Sequence, residues 1–195
     1  AGGLDANPSA GEERFLLAKL VNDDLLPGRL SLGLDAYRAD TDTDVRSLVN
    51  GAGQYATTTS MNAQDAESRG RASLAWSGDG LSGIFAQWNL LAYVQRSEID
   101  QRTQQDRRGA TPAAAATRRL REFEFDTQQL GLEGLIAGEA VQGALTHRFV
   151  AGFDFVRTAI DERRDGLEIN LSTGVSTPVL LGERMPVRDF PNSTL

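Results

Sequence analysis

The feature that most constrains this chain is a period-two alternation sustained over an unusual length. Between Leu81 and Gln95, Ile84, Ala86, Trp88, Leu90, Ala92 and Val94 share one parity, while Gln87, Asn89 and Gln95 stand on the other among Phe85, Leu91 and Tyr93. Alternate side chains of a strand point to opposite faces, so this stretch reads as one long two-faced strand. An ordinary strand runs for only ~5–6 residues. The length restricts the fold more than the alternation does.

The same pattern recurs. Leu30, Leu32, Leu34 and Ala36 oppose Ser31, Gly33, Asp35 and Tyr37, and Gly70, Ala72, Leu74 and Trp76 oppose Arg69, Arg71, Ser73 and Ala75. Leu145, Phe149, Ala151, Phe153 and Phe155 oppose Thr146, Arg148, Gly152 and Asp154. Arg14 to Val21 is apolar on both parities except at Arg14 and Lys19, so no facing is assigned to it. Leu120 to Leu135 opens with Phe123 and Phe125 outward and Glu122, Glu124 and Asp126 inward; its apolar parity reverses at Leu130 and Leu132. That reversal predicts a β-bulge or register change over Thr127–Gln129.

Six strands follow, over approximately 13–22, 29–39, 67–77, 81–97, 119–136 and 143–158. Short turns are expected at Asp23–Gly28, Ser77–Gly80 and Gly138–Gly143. Long polar connections are expected over about 40–66, 98–118 and 159–195. Short turns at one end and long loops at the other describe a transmembrane β-barrel with extracellular loops. A barrel wall keeps mean hydropathy low, here -0.33, because only alternate residues meet lipid. The expected fold is therefore all-β: an antiparallel up-and-down meander of about six long strands. Six strands cannot enclose a polar lumen, since barrels begin at about eight, so the expectation is an incomplete segment of a larger barrel.

On this reading the inward set is Asp35, Arg69, Arg71, Gln87, Asn89, Glu122, Glu124, Arg148 and Asp154, which calls for a wet or plugged lumen. Trp76 and Tyr93 are placed at opposite rims, where aromatic girdles form. The chain has no cysteine, which excludes disulfides, thiolate metal sites and cysteine nucleophiles. A net charge of -7 argues against general nucleic-acid binding. The opening AGGLDANPSAGEE, without initiator Met or signal segment, fits a mature secreted protein or an excised piece, and the piece is the expectation.

Several residue groups invite chemistry and lack its context. His147 is the only histidine and has no company of other ligands in sequence. Asp40, Asp42 and Asp44 suggest calcium, but Val45 and Gly51 occupy the positions where an EF-hand loop needs Gly and Glu. Glu122/Glu124 and Glu12/Glu13 resemble paired glycosidase carboxylates without a pocket. Arg96, Arg102, Arg107, Arg108, Arg118 and Arg119 surround the second long loop and suit phosphate groups, but Glu98, Asp100 and Asp106 are interleaved with them. Ala113 to Ala116 read as loop, and Asn192–Thr194 matches a glycosylation sequon. No catalytic, cofactor-binding or metal-ligating residue is assigned, no cofactor is expected, and an enzyme is not expected.

Three stretches, LDAYRADTDTDV (Leu34 to Val45), REFEFDTQQLGLEG (Arg121 to Gly134) and ALTHRFVAGFDFVRT (Ala144 to Thr158), together with MPVRDFPNST (Met185 to Thr194), resemble the barrel of TonB-dependent outer-membrane receptors. The resemblance is to the haem/haemoglobin group, which includes transferrin and lactoferrin receptors. It implies a Gram-negative outer-membrane location, contact with lipid and lipopolysaccharide, and energised uptake of a scarce nutrient such as haem or host-protein iron. It also implies work with a plug, and with TonB through that plug, neither of which this sequence supplies. The alternatives from the residues are a segment of a porin-like passive channel and a soluble β-sandwich or lipocalin-like module.

Overall fold

The computed structural model describes residues 7–24, 28–82 and 84–178. Long strands dominate, and no α-helix occurs among the described residues. The strands are β1 (Ser9–Asn22), β2 (Arg29–Asp44), β3 (Thr58–Ser82), β4 (Phe85–Arg107), β5 (Thr117–Gln142), β6 (Leu145–Asn170) and β7 (Ser176–Pro178). They form one antiparallel sheet in sequence order, β1 to β7. The up-and-down meander is as the alternation requires; the seventh strand is a short addition pairing with Leu167–Ile169.

The sheet is open. Among the described residues no strand pairs with the outer edge of β1 or with most of the outer edge of β6. Nor does a second sheet lie against it, and Met61 is the one buried apolar side chain described. A sandwich would seal one face of every strand in a shared interior.

Strand ends differ from the sequence reading. β3, β5 and β6 reach 25, 26 and 26 residues, because the ladder continues through polar segments assigned above to loops. The first two long connections shrink to 45–57 and 108–116; of the third, 159–170 belong to β6 and 176–178 to β7, and 179–195 lie outside the described residues. Both faces are polar in those extensions, so hydropathy carries no alternation there, although the backbone pairing persists. The turns move as well. Ser77–Gly80 lies within β3, beside a register irregularity between Asp79 and Ser82, and β3 continues to Ser82 before β4 begins at Phe85. Gly138–Gln142 stays in the ladder, and the reversal falls on Gly143–Ala144. Gly143 has φ 65 and Ala144 no positive φ, the pattern of a two-residue hairpin turn with glycine first.

The bulge expected over Thr127–Gln129 is not there: β5 pairs with β4 and β6 in unbroken register through those residues. Glu122 and Glu124 therefore share a face with Leu130 and Leu132, not with the inward set, and Phe123 and Phe125 lie on the other face. The apolar residues change parity because the strand leaves an apolar zone, not because it twists over.

Candidate functional site

Directly opposed residues of paired strands put their side chains on one face, so the registers assign every strand residue to a side. One side, the band face, carries Leu16, Ala18 and Leu20 of β1 and Leu30, Leu32, Leu34 and Ala36 of β2. It continues through Ala72, Leu74 and Trp76 of β3 and Trp88, Leu90, Ala92 and Val94 of β4. Leu130, Leu132 and Ile136 of β5 and Phe149, Ala151, Phe153 and Phe155 of β6 complete it. β1 thus acquires a facing: Phe15, Leu17, Lys19 and Val21 lie on the opposite face. Most of the band's large side chains stand clear of the protein, Leu20 at 68% and Phe155 at 56% exposure, while Leu30, Trp76, Trp88 and Phe149 are half-buried.

The band has the dimensions of a bilayer core. From Leu145 to Phe155 the chain advances ~33 Å at ~3.3 Å per residue, and a tilt of ~40° reduces this to ~25 Å, the height of a barrel's apolar belt. The band is also oblique. Its edge on β2 is Arg38, whose row runs through Ser68, Glu98 and Asp126 to Asp161, whereas on β6 the edge falls earlier, at Arg157. A drop of ~13 Å across four strand spacings of ~4.8 Å is an angle of ~35°, within the tilt of barrel strands.

Glycines inside this sheet face aromatic rings across the ladder. Trp88 lies over Gly78, Tyr93 over Gly131, Phe153 over Gly134 and Phe149 over Gly138, each pair directly opposed in register. The ring covers backbone that glycine leaves bare, which favours this register. Trp76 and Trp88 pack at 4.9 Å on the turn-side edge of the band. Tyr93 is on the opposite face, with the Arg71 guanidinium 4.4 Å above its ring.

Beyond the band the same face becomes charged. The first residues past the edge are Arg14, Arg38, Ser68, Arg96, Gln128 and Arg157 on β1 to β6 in turn. Acids follow. Arg14 pairs with Glu12 at 2.7 Å, Arg38 with Asp40 at 2.9 Å, and Arg96 with Glu98 and Asp126 at 2.7 and 2.6 Å. Further out Arg102 bridges Asp100 and Glu122, both at 2.8 Å, and Arg118 holds Asp106 at 2.7 Å. The hydrogen bond from Arg118 keeps the Asp106 carboxyl below its ordinary range. In this charged belt the pairs of Arg14, Arg38 and Arg96 with Glu12, Asp40 and Glu98 run along single strands, whereas those of Arg96 with Asp126, Arg102 with Glu122 and Arg118 with Asp106 cross between neighbouring strands.

The opposite face is mixed. Asp35, Arg69, Arg71, Gln87, Asn89, Arg148 and Asp154 lie there as expected, with Arg69 on Asp35 at 3.3 Å and Arg148 on Glu139 at 2.9 Å. At its outer end lies a small polar core. Gln105 Nε2 donates to Thr58 Oγ1 at 2.6 Å, and both residues are almost completely buried. Arg121 donates to Gln105 Oε1 at 3.3 Å, and Glu168 accepts from both Arg107 and Arg119. Desolvation, reinforced by the nearby Arg119 charge, pushes Arg107 below the ordinary guanidinium value. The 45–57 connection is tied down beside this core: Arg108 Nη1 donates to Asn50 Oδ1 at 2.6 Å and Nη2 to Ala56 O at 3.0 Å.

His147 stands on the band face near the turn end, opposite Ala140. Asp40, Asp42 and Asp44 occupy successive positions on one face of β2, ~7 Å apart along a strand, and so do not converge on a single ion. Glu12 and Glu13, as neighbours in a strand, point to opposite faces. Asp100, Glu122 and Glu124 do bring one carboxylate oxygen each within 4.8 Å of the others. Arg102 and Arg163 pair with them, which makes them part of the belt. Of the arginines assigned to the second loop only Arg108 lies in a connection; Arg96, Arg102, Arg107, Arg118 and Arg119 are strand residues with acidic partners. Met185–Thr194, with its sequon, lies outside the described residues. Sequence reasoning missed the arginines at the band edge, although on β2, β4 and β6 an arginine is the first polar residue after the apolar alternation.

No protein-family model matches the chain, and no curated protein matches it in sequence. What fold and surface define is a class: an open antiparallel meander sheet with an apolar band across one face, compatible with a β-barrel membrane protein.

Proposed function

We propose that this chain is a wall segment of an outer-membrane β-barrel, of the TonB-dependent receptor type, that takes up a scarce nutrient such as haem or iron held by a host protein. The observation that carries the membrane part is the oblique apolar band, with the height and tilt a bilayer requires of barrel strands. The edge of β1 and most of the edge of β6, unpaired among the described residues, call for further strands to close the wall, because lipid tolerates no open strand edge. The receptor part rests on the sequence resemblance and on strand ladders far longer than the ~9–11 residues needed to span. The polar opposite face then lines a lumen wide enough for water or a plug, lipid and lipopolysaccharide surround the band, and TonB acts through the plug.

The only two tryptophans, Trp76 and Trp88, make the membrane reading testable. With the full chain in vesicles, acyl chains brominated near the headgroup should quench their fluorescence more than chains brominated at the bilayer centre. Equal protection from both lipids sinks the reading. Uptake in cells expressing the intact receptor should fail when TonB is removed; unchanged uptake leaves a passive channel.

A further inference from the structure

Arg157 is the exception in the charged part of the band face. Arg14, Arg38, Arg96, Arg102, Arg118 and Arg163 all pair with carboxylates there. For Arg157 the structure contains no hydrogen bond, ion pair or ring contact, and it is the only described arginine of which that is true. Its position explains why. It lies in register with Leu130, in the row of Val94, Ala72 and Leu34, at the last level of the apolar band. The next acid on its own face of β6 is Asp161, ~13 Å further along the strand at ~3.3 Å per residue, too far for an ion pair.

The surface beside it is hollowed. A shallow groove of about 880 Å³ crosses the sheet at this level, lined by Ala36, Gly70, Ala72, Leu130, Arg157 and Ala159 among others. Small residues on neighbouring strands form the depression, and a side chain added at Gly70 would meet no atom within 4 Å. One flank is the apolar band and the other is the arginine row containing Arg96.

We infer that this groove is a binding site for a phosphate-bearing lipid of the surrounding leaflet, with Arg157 holding the phosphate and the acyl chains lying along the band. The inference rests on the proposed membrane reading. Charge complementarity selects the occupant: an anion is needed where hydrocarbon ends, and a lipid phosphate is the anion found at that depth. A guanidinium matches phosphate geometry through paired N–H donors, and its aliphatic stem tolerates an apolar flank. A zwitterionic headgroup brings its own cation and leaves Arg157 less fully compensated.

Native mass spectrometry of the detergent-solubilised full chain, titrated with diphosphorylated lipid A and with the same lipid stripped of phosphate, tests this. The wild type should retain the phosphorylated form preferentially. Arg157→Gln should lower that preference about fivefold, the effect of one arginine at an anionic surface, while Arg157→Lys retains most of it. Gly70→Leu, which fills the groove without changing charge, should weaken retention of the phosphorylated lipid as well. Equal retention of both lipids, or an Arg157→Gln chain that keeps the preference, overturns the site and leaves the barrel-wall reading standing. Retention of neither lipid overturns both. Competition by millimolar inorganic phosphate as effective as that by lipid overturns the assignment of a lipid occupant. Unchanged far-UV circular dichroism of each variant excludes misfolding as the cause.

Discussion

The turn-side half of the sheet and its far half are held together by different means. In the turn-side half the band face is a run of exposed leucines and phenylalanines with two half-buried tryptophans, and its order within the chain comes from backbone pairing and ring-over-glycine contacts. In the far half the same strands carry a lattice of cross-strand ion pairs, and Thr58 and Gln105 form the most buried polar pair described. The far half pairs many of its charged side chains within the chain, although one buried oxygen there, Asp100 Oδ1, has no partner. The turn-side half leaves its apolar side chains to be covered from outside.

The largest expected effect follows from that dependence. The full chain should aggregate in detergent-free buffer, since its described residues expose a broad apolar face and largely open strand edges at β1 and β6. A monodisperse, cooperatively unfolding monomer in sedimentation and calorimetry breaks the contrast between the halves. Next is Leu132→Arg, at mid-band opposite Ala92 and Phe155. It should cost ~2–4 kcal/mol in urea unfolding from vesicles, against little for Glu133→Arg on the opposite face. Equal costs would mean that both faces see the same medium. Gln105→Leu strands the Thr58 hydroxyl and should cost about 1–3 kcal/mol, with the loss confined to the far half. Amide hydrogen exchange that accelerates instead at Ala92–Leu132 would contradict that confinement.

The smallest effect is a pH step. Asp106 is held below its ordinary 3.8 by Arg118, so its contribution is present above that value and is lost as pH falls below 3.8 and through the folded-state value. Exchange at the Asp106–Arg118 pairing should quicken in that acid window, and Asp106→Asn should remove the step. An unchanged step in the variant assigns it elsewhere.

Much of this was legible in the amino-acid sequence where hydropathy alternates. Leu30–Ala36 and Trp88–Val94 identified strands, and the band face was correctly assigned for β2, β3, β4 and β6. Where both faces are polar, as over 58–66 and 99–107, the ladder continues without any such signal and the strands were read as loops. Glu122 and Glu124 were misassigned for the same reason: an apolar zone that ends looks, in one strand, like a strand that changes face. Only the register across β4, β5 and β6 separates the two. The arginine row required that comparison too, since Arg157 becomes exceptional only once its neighbours prove to be paired.

The ladder of β4 runs on from Arg96 to Arg107, ~36 Å along the strand and ~30 Å in height at the tilt inferred above. On the proposed reading the sheet stands like a chimney, far taller than the roof it pierces. Its 45–57 and 108–116 connections would then be presented above the dense sugar coat of the cell surface, where a large host protein could reach them without having to penetrate it.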